Sequence, residues 1–376
     1  MYKSIFATTL VAGLTLAAWS VPAKADLYMA TNWMTPVHIL NENPYQRWAK
    51  DVKEATDGSI EFEVHSSGSL VPARSTMQGI RDNVAAVGIV YPGYTPSEQP
   101  LNNVLNDLVF VADDDFAAAF AFIELGMSSP SLQNEWKRNG GLFAGGYATP
   151  VYNFMCMKPV RSLADAKGMK TRTAGGAQTD WIKHIGGVPV SVPIADVYSG
   201  LERGSLDCTL SDPTNLDKGN KFWEVAKSVT TLPMGVVLGA TYVYNIDFWQ
   251  SRTSEERKIL LDTMAKGVAR SQVQYHIGVQ TALEGAKERN LEIITPDESL
   301  TSELQVFAEQ FIAALPEQSI KVRKVEDPTE LIQEYLGLYD KWKELAKDVD
   351  RTDEEAVYEL VYQNLYSKID ENTFGM

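Results

Sequence analysis

From Thr253 to Arg289 the chain carries no proline, and its only interior breaks are Gly267, Gly278 and Gly285. Thr253 with Glu256 three residues on is a capping-box signature: hydroxyl and carboxylate reciprocally satisfy the first free backbone N–H groups of a helix. The pattern predicts one long helix with Asn290 at its C-terminal end. At 1.5 Å per residue it spans roughly 50 Å, more than the diameter of a small domain. The competing expectation is two ordinary helices kinked near Gly267 or Gly278. A single helix of that length must run across two domains, and a chain of 376 residues also exceeds the size at which one core stops growing.

The rest of the chain alternates strands with helices, the signature of an α/β layer architecture. Leu27 to Trp33 reads as a strand and Asn43 to Thr56 as a helix with Trp48, Val52 and Ala55 on one face. Ile60 to Val64 alternates as a half-buried strand, and Ala85 to Val90 is continuously apolar, as a buried parallel strand is. Leu142 to Tyr147, Val151 to Met157, Met169 to Thr173, Val188 to Val190 and Ser205 to Leu210 are further strands, with helices over Gln178 to Ile185 and Asp196 to Arg203. Two amphipathic helices follow, near Pro328 to Val349 and Asp353 to Ile369. The expected division is 26–150 with part of 235–270, 151–234 with part of 270–326, the long helix 253–289 across both, and the terminal helices in 327–376.

The first residues combine Lys3, an apolar run from Ile5 to Val21 interrupted by hydroxyl residues, and Ala23-Lys-Ala25. That is the pattern of an export signal, residues 1–25, cleaved after Ala25 in favour of a periplasmic protein. No later segment offers the roughly 20 apolar residues a membrane span needs. The formal charge of -15 becomes -17 once Lys3 and Lys24 leave, a surface that repels nucleic acid and anionic lipid. An anionic solute would therefore need a locally placed cation. Cys156 and Cys208 either form one disulfide, as an oxidising compartment favours, or stay buried thiols.

Leu163-Ala-Asp-Ala-Lys-Gly-Met-Lys-Thr-Arg172, followed by Gly186-Gly187-Val-Pro and then Asp196-Val-Tyr198 through Gly204-Ser-Leu-Asp207, resembles the paired motifs of solute-binding proteins of TRAP (tripartite ATP-independent periplasmic) transporters. The likeness covers roughly Asp26 to Glu326. It departs at Asp196, Gly200 and Cys208, where the family usually has Glu, Ala and Gly, and Tyr152 stands where a second arginine is common. The resemblance implies a two-domain periplasmic-binding-protein fold with the ligand cleft between the domains and the long helix at its hinge. It implies that Arg172 anchors a ligand carboxylate, and that membrane subunits receive the solute.

The residue chemistry agrees with that role, because a guanidinium fork fits a carboxylate with two parallel N–H···O bonds and stays charged. Ser211 and Asp212 follow a buried strand; they contact ligand or simply make a Ser-Asp-Pro turn. Tyr152, Asn32, Trp33, Tyr91 and Tyr94 end strands in the places where open α/β sheets meet ligands. An arginine among aromatics, with Asp212 nearby, widens the field from dicarboxylates to zwitterions and aromatic or branched acids. No G-x-S-x-G, H-E-x-x-H, phosphate loop, G-x-G-x-x-G or C-x-x-C occurs, so neither enzyme activity, cofactor nor metal is expected. The alternatives are a binding protein that feeds a chemoreceptor or sensor kinase, or a periplasmic enzyme. The chain is expected to be a monomer, or a dimer through the terminal helices, whose apolar faces carry Leu331, Tyr335, Leu338 and Trp342, then Val357, Leu360 and Leu365.

Overall fold

The computed structural model describes residues 26–376, so the expected export signal and its cleavage point lie outside the described residues. The described residues form eleven strands: β1 (Asp26–Thr31), β2 (Ile60–His65), β3 (Val87–Val90), β4 (Gly141–Ala148), β5 (Asn153–Cys156), β6 (Lys170–Arg172), β7 (Val188–Val190), β8 (Cys208–Ser211), β9 (Ser228–Thr230), β10 (Leu238–Asn245) and β11 (Glu292–Ile294). They form two sheets, ordered β2-β1-β3-β10-β4 and β11-β9-β5-β8-β6-β7. Each belongs to one domain of a two-domain α/β fold. The first sheet is parallel through β2, β1 and β3, whereas β10 runs antiparallel to both its neighbours.

Every β10 residue is buried, as are those of β3, β4, β5 and β8, because helices cover both faces. Strand β10 and the helices Asp115–Ser128 and Glu298–Gln318 are elements that the sequence reading did not resolve. The helix Asp115–Ser128 is apolar nearly all round, with Phe116 to Ile123 wholly buried, so it shows no stripe for a 3.6-residue period to detect.

The long helix is one element, Ser254–Glu288, and its capping box is formed: Glu256 N donates to Thr253 Oγ1 (3.1 Å) and Thr253 N to Glu256 Oε2 (2.8 Å). The glycines are close approaches, and none of them breaks the helix. A Cβ on Gly267 would stand 2.0 Å from the Tyr242 hydroxyl, one on Gly285 2.9 Å from the Trp223 ring. Gly278 sits where the helix passes from one domain to the other, with Thr214 and Ile39 both against it. Gly267→Ala gains about 1 kcal/mol of helix propensity but overpacks the buried Tyr242, at about 1–3 kcal/mol. We expect a net loss in urea unfolding that Tyr242→Phe, which removes the obstructing oxygen, largely restores. Equal destabilisation in the double variant would show that the clash lies elsewhere.

The terminal helices lie on the first domain. Thr329–Leu345 covers Asp115–Ser128, burying Leu331, Tyr335 and Trp342, whose indole donates to Glu124 (2.6 Å). Glu354–Asn364 covers the long helix, with Val357 and Val361 buried and Glu354 paired to Arg47 (2.7 Å). Of the faces that suggested a dimer, Leu331, Tyr335, Trp342, Val357 and Leu365 are buried against the chain itself, whereas Leu338 and Leu360 stay half-buried. Cys156 and Cys208 face each other across β5 and β8 and are disulfide-bonded. Among the described residues no helix is long and apolar enough to cross a membrane.

Candidate ligand-binding site

Strand β6 is three residues long and owes its place to the residues around the two motifs. Asp207 N donates to Lys170 O, and Lys170 N donates to the Asp207 carboxylate (both 2.8 Å), which sets β6 beside β8. Gly168 turns the chain into β6 at φ 73°, a conformation that costs a side-chain-bearing residue most. Arg172 then lies between Val190 of β7 and Thr209 of β8, with its side chain carried inward.

Arg172 is 1% exposed. Its Nε donates to Val192 O and its Nη1 to Leu210 O (both 3.1 Å), and its Nη2 donates to the Tyr94 hydroxyl (3.3 Å). These bonds engage three of the five N–H groups of the guanidinium, and the Tyr152 side chain also lies within its hydrogen-bonding reach. Among the described residues it takes part in no ion pair; buried Arg257 has none either but spends its guanidinium on Glu371 O and Arg252 O far from any cavity, whereas half-buried Arg270 and Arg323 each have an aspartate. A buried charge without a counter-charge is costly. Such a site favours an anion.

The space before Arg172 is a small cavity of about 30 Å³ between the domains, room for about two water molecules in this closed form. Its walls include Trp33, Tyr91, Tyr94, Tyr152 and Asp212. Tyr94 spans the cleft, since its hydroxyl also accepts from Ile194 N of the other domain (2.9 Å). The domains meet again where Arg74 donates to Ser191 O (3.2 Å) and Ala177 N donates to Asp107 (3.1 Å). Trp33 is held by a bond from its indole to Ile89 O (3.0 Å) and packs edge-on against Tyr94.

Asn32 and Ser211 lie outside the cavity lining. Asn32 staples the loop after β1, donating to Leu40 O (2.8 Å) and accepting from Met34 N (2.9 Å). Ser211 accepts from Asn215 (3.0 Å). Tyr147, Tyr275, His38 and Asn215 line the cavity although the sequence reading did not single them out. The hydroxyls of Tyr91, Tyr147 and Tyr275 have no hydrogen-bond partner among the described residues, and burial pushes all three phenols well above the ordinary tyrosine range. Burial also pushes His38 down to about 4, so it is neutral at pH 7. Other grooves are larger; one is lined by Glu135, a buried carboxylate outside any ion pair, but none of them by a buried arginine without a carboxylate partner.

Residues 31–318 match the DctP family of bacterial extracellular solute-binding proteins, family 7. The chain belongs to that family. A solute-binding protein from Albidiferax ferrireducens is 25% identical over 196 residues, 50% of this chain and 54% of that protein, so the alignment spans about half the length of that relative. DctP7 from Bordetella pertussis, a receptor solved as binding pyroglutamic acid, superposes with a TM-score of 0.72 at 21% identity over 84% of this chain and 100% of its own. A TRAP solute-binding protein from Rhodoferax ferrireducens, solved with copurified benzoate, gives 0.75 at 19% identity over 86% and 100%. These likenesses establish the two-domain TRAP receptor fold. The terminal helices fall beyond the residues that define family 7.

In this family-7 chain Asp212 is the one fully buried carboxylate on the cavity wall, and desolvation raises it to about 6 despite the bonds it accepts. A carboxyl whose folded pKa exceeds its unfolded value binds protons more tightly when folded, so its ionisation opposes folding. Stability from this group is therefore lowest above pH 6 and is recovered as pH falls towards 4, by up to about 3 kcal/mol. His38 works in the opposite sense over a similar range. The curve to measure is thus the difference between the wild type and Asp212→Asn. That difference should favour the variant at pH 7.5 and close by pH 4; a flat difference would refute the ionisation assigned to Asp212.

Proposed function

We propose that this family-7 protein captures a small carboxylate-bearing solute in the periplasm and delivers it to TRAP membrane subunits. Arg172 is its anchor, and closure of the two domains excludes water. The observation that carries the reading is the guanidinium itself: buried, without an ion-pair partner and facing the cavity between the domains. The tyrosine hydroxyls and Trp33 supply an aromatic, hydrogen-bonding wall. Pyroglutamate and benzoate, the ligands of two structural relatives, are small ring carboxylates. In this reading Tyr94 reports closure, because it bonds to Arg172 and to Ile194 across the cleft only when the domains meet. Export with cleavage after Ala25 completes the proposal.

Thermal unfolding of the mature protein with a panel of small carboxylates tests it. A ligand that binds only the folded state adds about 2.7 kcal/mol at a hundredfold excess over its dissociation constant. At least one ring carboxylate should raise the midpoint. If none does, in protein shown by mass spectrometry to carry no copurified solute, the carboxylate reading fails.

A further inference from the structure

Asp212 presents the mirror image of the problem posed by Arg172. It is 1% exposed and lines the same cavity. One carboxylate oxygen accepts from Thr214 N (3.0 Å) and from the Thr214 hydroxyl; the other accepts from Asn215 Nδ2 (2.7 Å). All three donors are neutral, and among the described residues Asp212 takes part in no ion pair. Among the described residues Arg172 forms no ion pair with it; the guanidinium spends Nη1 on Leu210 O, two residues earlier. The other titratable wall residue, His38, accepts at Nδ1 from Leu40 N (3.1 Å) and is uncharged at neutral pH, so it provides no cation either.

Capping alone does not explain the charge. Asp212 does cap the 3₁₀ turn Pro213–Leu216, but asparagine or serine caps as well and brings no buried charge. A second carboxylate lone pair, on the oxygen bonded to Asn215, is left without a donor. The cavity therefore holds one uncompensated cation and one uncompensated anion that do not satisfy each other. A simple anion would pair with Arg172 and leave Asp212 both buried and repelling it. A molecule carrying both charges answers both groups, and the tyrosines around Asp212 are a wall that accommodates a cation.

We infer that the solute is a small zwitterion, its carboxylate on Arg172 and an N–H-bearing ammonium nitrogen directed to Asp212. This rests on the reading of Arg172 as a carboxylate anchor and adds the second recognition group. The raised pKa of Asp212 fits a carboxylate kept waiting for a cation.

The test uses isosteric probes. Cyclohexanecarboxylate and the piperidine-2-, 3- and 4-carboxylates share ring and carboxylate and differ by one CH₂ replaced by NH₂⁺. Titration calorimetry is run on the mature wild type and on Asp212→Asn, which keeps the cap oxygen. On the wild type at least one piperidine isomer should bind about tenfold tighter than cyclohexanecarboxylate or better. Asp212→Asn should erase that preference while binding cyclohexanecarboxylate at least as well as the wild type does. If cyclohexanecarboxylate matches or beats all three isomers on the wild type, the zwitterion is wrong and the carboxylate anchor stands. A preference that survives in Asp212→Asn also overturns the assignment. Binding of none of these, nor of benzoate or pyroglutamate, removes the anchor reading and the inference together.

Discussion

Arg172→Met should lose solute affinity by about a hundredfold or more, because removing one member of a buried, hydrogen-bonded charge pair costs 2–5 kcal/mol. Methionine fills a similar length without charge, so the folded chain no longer buries an unpaired guanidinium. It does leave Val192 O and Leu210 O without their donor. These effects oppose each other in the ligand-free protein, so its midpoint should move little while the ligand-induced shift disappears. Arg172→Lys separates charge from geometry: the ammonium attracts the anion but lacks the planar fork, and should fall between wild type and methionine. Retention of wild-type affinity by the methionine variant, to within about threefold, would show that the solute is held elsewhere.

Reduction of the Cys156–Cys208 disulfide should lower the unfolding free energy by about 4 kcal/mol, the chain-entropy value for a loop of this length. The sequence separation is 52 residues. Both cysteines are wholly buried, so reductant must act through the unfolded chain, and the comparison is a urea curve with and without it. The bond pins β5 to β8 beside the site, and Leu210 and Asp212 follow Cys208 within four residues. A one-residue slip of β8 would turn its inward side chains outward. The reduced protein should therefore also bind its solute more weakly. Superimposable curves, with reduction confirmed by mass, would show that the sheet alone maintains the register.

The long helix, the α/β alternation and the place of Arg172 on the cavity wall could all be read before any coordinates, because each rests on local information. A capping box, a strand-length apolar run and a motif of fixed spacing say what they mean where they stand. The disulfide could not be read. It depends on Cys156 and Cys208 meeting as opposed residues of an antiparallel pair, and nothing near either cysteine specifies that register. Tyr147, Tyr275 and His38 escaped for a related reason. They come from β4, from the long helix and from a loop of the first domain, and share the cavity only once the chain has folded. Asn32 and Ser211 show the converse: they end strands at the right depth, yet bond to backbone or side chains beside the cavity. Strand-end position is local, whereas side-chain direction depends on what the neighbouring loop needs.

The place of β10 between β3 and β4 governs the order in which the molecule can assemble. As the chain emerges from its N-terminus, β3 and β4 are made early, but the strand that joins them follows the whole of β5 to β9. Until it arrives the first sheet has two open edges, each a template for pairing with another chain. The second sheet, by contrast, can pair β5 with β8 and β6 from neighbouring sequence. These long-range pairings make the contact order high and folding slow. The first domain cannot then be lifted out as an N-terminal folding module, and a fragment ending after β4 should aggregate.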